Sequence, residues 1–257
     1  NEQIPAMVER IVSAAVNSGI PADQVQILAP MYRGLAGIDN LNKLTQALLN
    51  PLEKGEIEFP HNDQLFRQGD RVIHLVNDAE SNVFNGDLGY ISDLLPAKYS
   101  DSKQDEITIS FEGAEVTYPR NEWYKITLAY AMSIHKSQGS EFQVVILPIT
   151  HSSQRMLQRN LIYTAITRSK SKLILLGQLS AFDQAVKNAG TARKTYLVER
   201  FGPDLTEAAP EEQPQASQTN QPEENLTYIL TEANLLTIDP MIGLTEEDIL
   251  SFFNTEK

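Results

Sequence analysis

The 257-residue chain contains no cysteine. That excludes a disulfide scaffold, a cysteine-ligated zinc site and a thiol nucleophile. Its four histidines, His61, His74, His135 and His151, show no close ligand spacing such as H-x-x-x-H, so no metal site is expected. No apolar run reaches the roughly 18 residues of a membrane-spanning helix. The opening NEQIPAMVER has neither the basic nor the apolar region of a signal peptide. A cytoplasmic globular protein of one or two ordinary domains is the expectation.

Acidic residues outnumber basic ones by 34 to 21, but unevenly. Residues 203–257 hold 12 acids and one base, whereas residues 1–202 hold 22 acids and 20 bases. The body is therefore close to neutral, and its acidity does not argue against a phosphate-rich partner. It carries basic clusters around Arg155, Arg159, Arg168, Lys170 and Lys172, and again at Lys187, Arg193 and Lys194.

Hydrophobic spacing organises the chain. Ile4, Met7, Val8, Ile11, Val12, Ala15 and Val16 predict an amphipathic helix ended by Gly19 and Pro21. Val25–Ala29 reads as a short buried strand, followed by a turn-rich loop over residues 30–37. Ile38, Leu41, Leu44, Leu48 and Leu49 mark a second helix closed by Asn50-Pro51. Strand, loop, helix is the start of an α/β domain. From about Phe59 to Trp123 the pattern becomes short β-rich segments punctuated by Asn85-Gly86 and Glu112-Gly113, which suggests a small antiparallel barrel. The α/β pattern then resumes. Ile126–Ala131, Val144–Ile149 and Lys172–Gly177 read as strands, Met156–Ile166 as a helical face, and Leu179–Ala189 as a helix. The expected division is residues 1–58 and 124–202 as two parts of one α/β domain, with 59–123 as an inserted barrel. Residues 203–225, rich in Pro, Glu, Gln, Ser and Thr, read as a disordered acidic linker, and 226–257 as a docking segment.

Three segments carry chemistry. LAPMYRG sets Arg33 on a loop past a strand's C-terminal end, where open α/β sheets place ligands. YAMSIHKSQGSEF crowds small polar residues, His135 and Lys136 between two buried strands, a composition suited to phosphate or sugar contacts. LIYTAITR is an apolar helix face that ends in Thr-Arg.

In this order and spacing, the three segments resemble the second motor domain of superfamily 1 DNA helicases, in the RecD-like branch that includes RecD/TraA-type helicases and the alpha subunit of exodeoxyribonuclease V. SIHKSQGSEF followed by an apolar strand is the most specific feature; YTAITRSKSKLILLG resembles motif VI and LAPMYRG motif IV. FRQGDRVIHLVND and VFNGDLGYI resemble the family's inserted SH3-like barrel, and IDPMIG the end of stand-alone members.

The resemblance implies an α/β, RecA-like P-loop-type fold without a Walker loop of its own. It implies ATP in a cleft shared with a first motor domain of the same polypeptide, and 5′→3′ translocation on single-stranded DNA in repair or recombination. By the same resemblance Arg33 and Arg168 are the arginine fingers, and Gly139 and Glu141 contact the nucleotide. Ser133, His135 and Lys136 lie near DNA, Ser137 beside them, and Asn77, Asn85 and Gly86 fall on barrel loops near DNA. The chain has no G-x-x-x-x-G-K-S/T and no Asp-Glu pair after an apolar strand. Mg²⁺ is therefore expected to be held mainly by the first motor domain. The chain reads as the C-terminal portion of a longer helicase, inactive alone. The alternatives are a non-catalytic DNA- or partner-binding module and the helicase part of a conjugative relaxase. The docking segment is a candidate site for a protein partner.

Overall fold

The computed structural model describes residues 3–190. The expected linker at 203–225 and docking segment at 226–257 lie outside the described residues. Strand β1 (Val25–Ala29) is buried at all five positions. That is the environment of a parallel strand covered on both faces. It joins β9 (Ala131–Ser133), β10 (Phe142–Ile149) and β11 (Ser169–Gly177) in a parallel sheet of order β11-β10-β1-β9. Alternate residues of β10 face opposite layers. Val144 and Ile146 pack with the apolar sides of α1 (Ile4–Asn17) and α2 (Ile38–Leu49). Val145 and Leu147 pack with α3 (Arg159–Ile166) and α4 (Leu179–Lys187). The result is a helix–sheet–helix sandwich.

Between α2 and β9 the chain builds a second unit. A hairpin of β2 (Glu58–His61) and β3 (Gln64–Arg67) precedes an antiparallel sheet of order β7-β6-β5-β4-β8. Its strands are β4 (Arg71–His74), β5 (Leu88–Leu95), β6 (Glu106–Phe111), β7 (Ala114–Pro119) and β8 (Ile126–Leu128). Its core holds Phe59 stacked on Trp123 at 5.5 Å, with Phe66 edge-on at 6.2 Å. The indole N–H of Trp123 donates to the Tyr118 carbonyl at 2.9 Å, so the buried ring leaves no polar atom unpaired. No described helix is long and apolar enough to cross a membrane.

The single strand expected over Ile126–Ala131 is two strands. β8 pairs antiparallel with β4 in the small sheet, and β9 pairs parallel with β1 in the large one. Ala129 and Tyr130 form the crossing, where ladder partners change and backbone groups would otherwise go unpaired. Two buried amides repair this. The Gln26 amide donates to the carbonyls of Tyr130 at 3.1 Å and Ala129 at 3.3 Å. Asn42 donates to the Ala131 carbonyl at 2.9 Å and accepts from the Ala131 N–H at 2.8 Å. This explains why the buried side of α2 includes Asn42, Thr45 and Gln46 while Leu48 is exposed. Apolar spacing alone does not anticipate a helix face that patches a strand crossing.

Asp70 ties the two units from the barrel side. Its buried carboxylate accepts from the Gln46 amide at 2.6 Å, the Asn50 amide at 2.8 Å, the Arg67 backbone N–H at 2.7 Å and the Tyr130 hydroxyl at 3.0 Å. Burial pushes this carboxyl above the usual range, and the four donors only partly offset it.

Candidate functional site

Strands β1, β10 and β11 run the same way, so each motif falls on one of two edges of the sheet. Residues 139–141 enter β10 at its N-terminal end, and Arg168 enters β11 at the equivalent end, next to Phe142. The segments clasp each other: the Phe142 N–H donates to the Arg168 carbonyl at 2.9 Å, and the Arg168 guanidinium donates to the Ser140 carbonyl at 3.1 Å. The same guanidinium donates to the Thr164 carbonyl at 3.2 Å and the Thr167 hydroxyl at 3.1 Å. Its fork is thus oriented by neutral acceptors, half-buried, and among the described residues no carboxylate pairs with it. A guanidinium held this way keeps its full charge for an incoming anion.

Glu141 is exposed and lies 3.8 Å from the Lys170 ammonium, a pair worth little in solvent. Gly139 adopts φ +91°, with open space where a Cβ would stand, so backbone conformation rather than crowding asks for glycine there.

Arg33 is elsewhere. Ile27, Ile146 and Ile174 form one row across the sheet; Arg168 precedes that row by six residues, and β1 ends two residues beyond it. At about 3.3 Å per residue the two edges are roughly 25 Å apart. The loop after β1 is closed by the Ile38 N–H donating to the Met31 carbonyl at 3.0 Å and the Asp39 N–H to the Tyr32 carbonyl at 3.1 Å. Arg33 follows the C-terminal end of β1, whereas Arg168 precedes the start of β11. Arg33 is exposed on the edge where β1 and β9 end, with Ala29 paired to Ser133.

Ser133 caps the 3₁₀ turn Ile134–Ser137 by accepting from the Lys136 N–H at 3.4 Å. The Ser137 hydroxyl is buried and spent on the Ile134 carbonyl at 2.7 Å, which makes it structural. His135 is exposed on this turn. The Lys136 ammonium reaches the barrel, 3.4 Å from the Asn85 side-chain oxygen. Asn77 in turn accepts from the Asn85 N–H at 3.0 Å, and Gly86 N–H donates to the His74 carbonyl at 2.9 Å. The structure thus brings together Ser133, Lys136, Asn77, Asn85 and Gly86. The sequence reading missed the Lys136–Asn85 bridge between segments 51 residues apart, and it missed Phe84 beside it. An aromatic residue next to an Asn-Gly turn is the signal that could have found it.

Comparison with known proteins agrees with this layout. Residues 41–111 match the ATP-dependent RecD-like DNA helicase SH3 domain, and residues 128–176 the UvrD-like helicase C-terminal domain. A helicase C-terminal motor fold carrying an inserted barrel is the class these two segments define. The chain belongs to the RecD-like superfamily 1 helicases, as a C-terminal portion. It is 36% identical over 177 residues to an ATP-dependent RecD2 DNA helicase of Deinococcus radiodurans, covering 69% of this chain and 23% of that one. It is 28% identical over 181 residues to the RecBCD enzyme subunit RecD of Mycolicibacterium smegmatis, covering 70% of this chain and 30% of that one. It therefore spans about a quarter of the length of these relatives. A crystal structure of Pif1 helicase from Bacteroides with ADP-AlF3 and ssDNA superposes with a TM-score of 0.44 at 18% identity, over 71% of this chain and 46% of that one.

Proposed function

We propose that the chain is the second motor half of an ATP-driven DNA helicase in repair or recombination, translocating 5′→3′ on single-stranded DNA. One edge of its parallel sheet serves the nucleotide, and the turn Ile134–Ser137 with the barrel loop serves DNA. The observation that carries this reading is the Arg168 fork, oriented by three neutral acceptors beside Gly139 and Glu141. A permanently charged planar fork stabilises charge that develops on transferring phosphoryl oxygens. In this reading Arg168 is the finger, and Gly139 and Glu141 line the nucleotide. Phe142 connects this edge to the barrel, because the buried Arg71 lies over its ring at 5.4 Å. Arg33, exposed on the loop after β1, is the second arginine offered to the nucleotide.

Among the described residues no group of three or more His, Asp or Glu side chains could hold a metal ion. The magnesium that accompanies ATP is assigned to the motor half that bears a Walker loop. The 257 residues contain no such loop, so the chain by itself should bind DNA without ATP turnover. The test is Arg168→Ala in the polypeptide carrying both halves of the ATP site. DNA-stimulated kcat should fall by about 10³-fold, with single-stranded DNA affinity largely kept. An unchanged kcat refutes the finger assignment.

A further inference from the structure

The loop from Asn77 to Asp87 leaves β4 and returns to β5, and its backbone is bonded internally almost throughout. Asp78 and Val83 exchange N–H···O bonds at 2.8 and 3.0 Å, and Val83 is fully buried beneath them. The Phe84 N–H donates to the Asp87 carboxylate at 2.8 Å, and the Asp87 N–H returns to the Phe84 carbonyl at 3.0 Å. Gly86 completes the turn at φ +109°. The anchor at Val83 and the 84–87 turn fix which way residue 84 faces. That residue is a phenylalanine, left 47% exposed. Its neighbour Asn85 holds the Lys136 ammonium.

An isolated exposed apolar side chain is ordinary. A rigidly presented aromatic ring next to a cation is the pair of groups that single-stranded nucleic acid uses, a π-face for a base and a charge for its phosphate. The nearby carboxylates Asp87 and Asp78 each have a partner. Asp87 is occupied by the Phe84 N–H, and Asp78 lies 3.6 Å from the Lys125 ammonium. We infer that Phe84 is a base-stacking platform for one unpaired nucleotide of a DNA strand whose phosphate lies at Lys136. This rests on the DNA-motor reading above and adds to it a contact that reads the presence of a base.

The test uses the 257-residue chain and two fluorescein-labelled probes, a dT oligonucleotide and an abasic phosphodeoxyribose strand of equal length. Binding is followed by anisotropy at one fixed salt concentration. Phe84→Ala should weaken dT binding about tenfold and leave abasic binding unchanged. Lys136→Ala should weaken both probes alike. Phe84→Trp should keep dT affinity, and its emission should be quenched by dT but not by the abasic strand. The single native tryptophan, Trp123, is buried and common to all variants. Equal losses of Phe84→Ala on both probes, or no loss on either, overturn the stacking assignment while leaving the DNA reading intact. Failure of the unmodified chain to bind either probe overturns both.

Discussion

The Asp70 cluster gives the strongest stability prediction, because four donors from three parts of the chain meet on one buried carboxylate. Asp70→Ala removes this acceptor from all four. The Gln46 and Asn50 amides have other carbonyls within reach, Leu65 at 2.7 Å and Gln68 at 3.0 Å. The Arg67 N–H and the Tyr130 hydroxyl have none in this cluster. Each buried neutral donor left without a partner costs about 1–3 kcal/mol. With the Arg67 N–H and the Tyr130 hydroxyl left so, the loss is about 3 kcal/mol on that scale. For a body of this size that corresponds to a fall in Tm of about 6–12 °C. Urea unfolding followed by circular dichroism, with the slope m unchanged, is the assay. A loss under about 0.5 kcal/mol would refute the idea that Asp70 ties the barrel to the motor fold. The sign of the pH dependence gives a second check. Because burial raises the folded pKa, the carboxyl's contribution is complete below its unfolded pKa and declines as pH rises through the folded one. The stability gap between parent and Asp70→Ala should therefore widen as pH falls through the folded pKa.

Two further outcomes follow from single positions. His74 is fully buried against Phe111 and Tyr118, and burial lowers its pKa. Its neutral form supports the fold above its unfolded pKa of about 6.5, and that support is lost as pH falls through the folded value. His74→Leu should flatten the decline in unfolding free energy from pH 7 to pH 5, and an unchanged slope would assign the decline to other groups. Gly139→Ala should cost about 1 kcal/mol through backbone conformation alone. Gly177→Ala should cost more, since its Cβ would also run into the Ile149 carbonyl; urea midpoints in the reverse order would contradict this.

What was legible in the sequence followed from periodicity. Buried runs such as Val144–Ile149 give parallel strands, and the Gly- and Asn-punctuated short segments give the inserted barrel, because each pattern reflects burial on two faces or one. The strand crossing at Ala129-Tyr130 was not legible. An apolar run looks the same whether its two halves pair with one sheet or with two, and the deciding groups, Gln26 and Asn42, are polar. The candidate site divides the same way. Arg168 and residues 139–141 are adjacent because parallel pairing of β10 with β11 places both strand starts together. Arg33 is grouped with them by motif order alone, since it follows β1 at the other end of the sheet.

The crossing also constrains the order in which the chain can assemble. Pairing β1 with β9 closes a loop of roughly a hundred residues, from Ala29 to Ser133. Once β4 has paired with β8, Val72 and Leu128 are already side by side, and the open chain left to close is about half as long. Halving a flexible loop lowers its closure cost by about 0.6 kcal/mol. The barrel therefore acts as a clip for the sheet that surrounds it, so that an insertion which interrupts the motor fold in sequence shortens the search for its central strands in time.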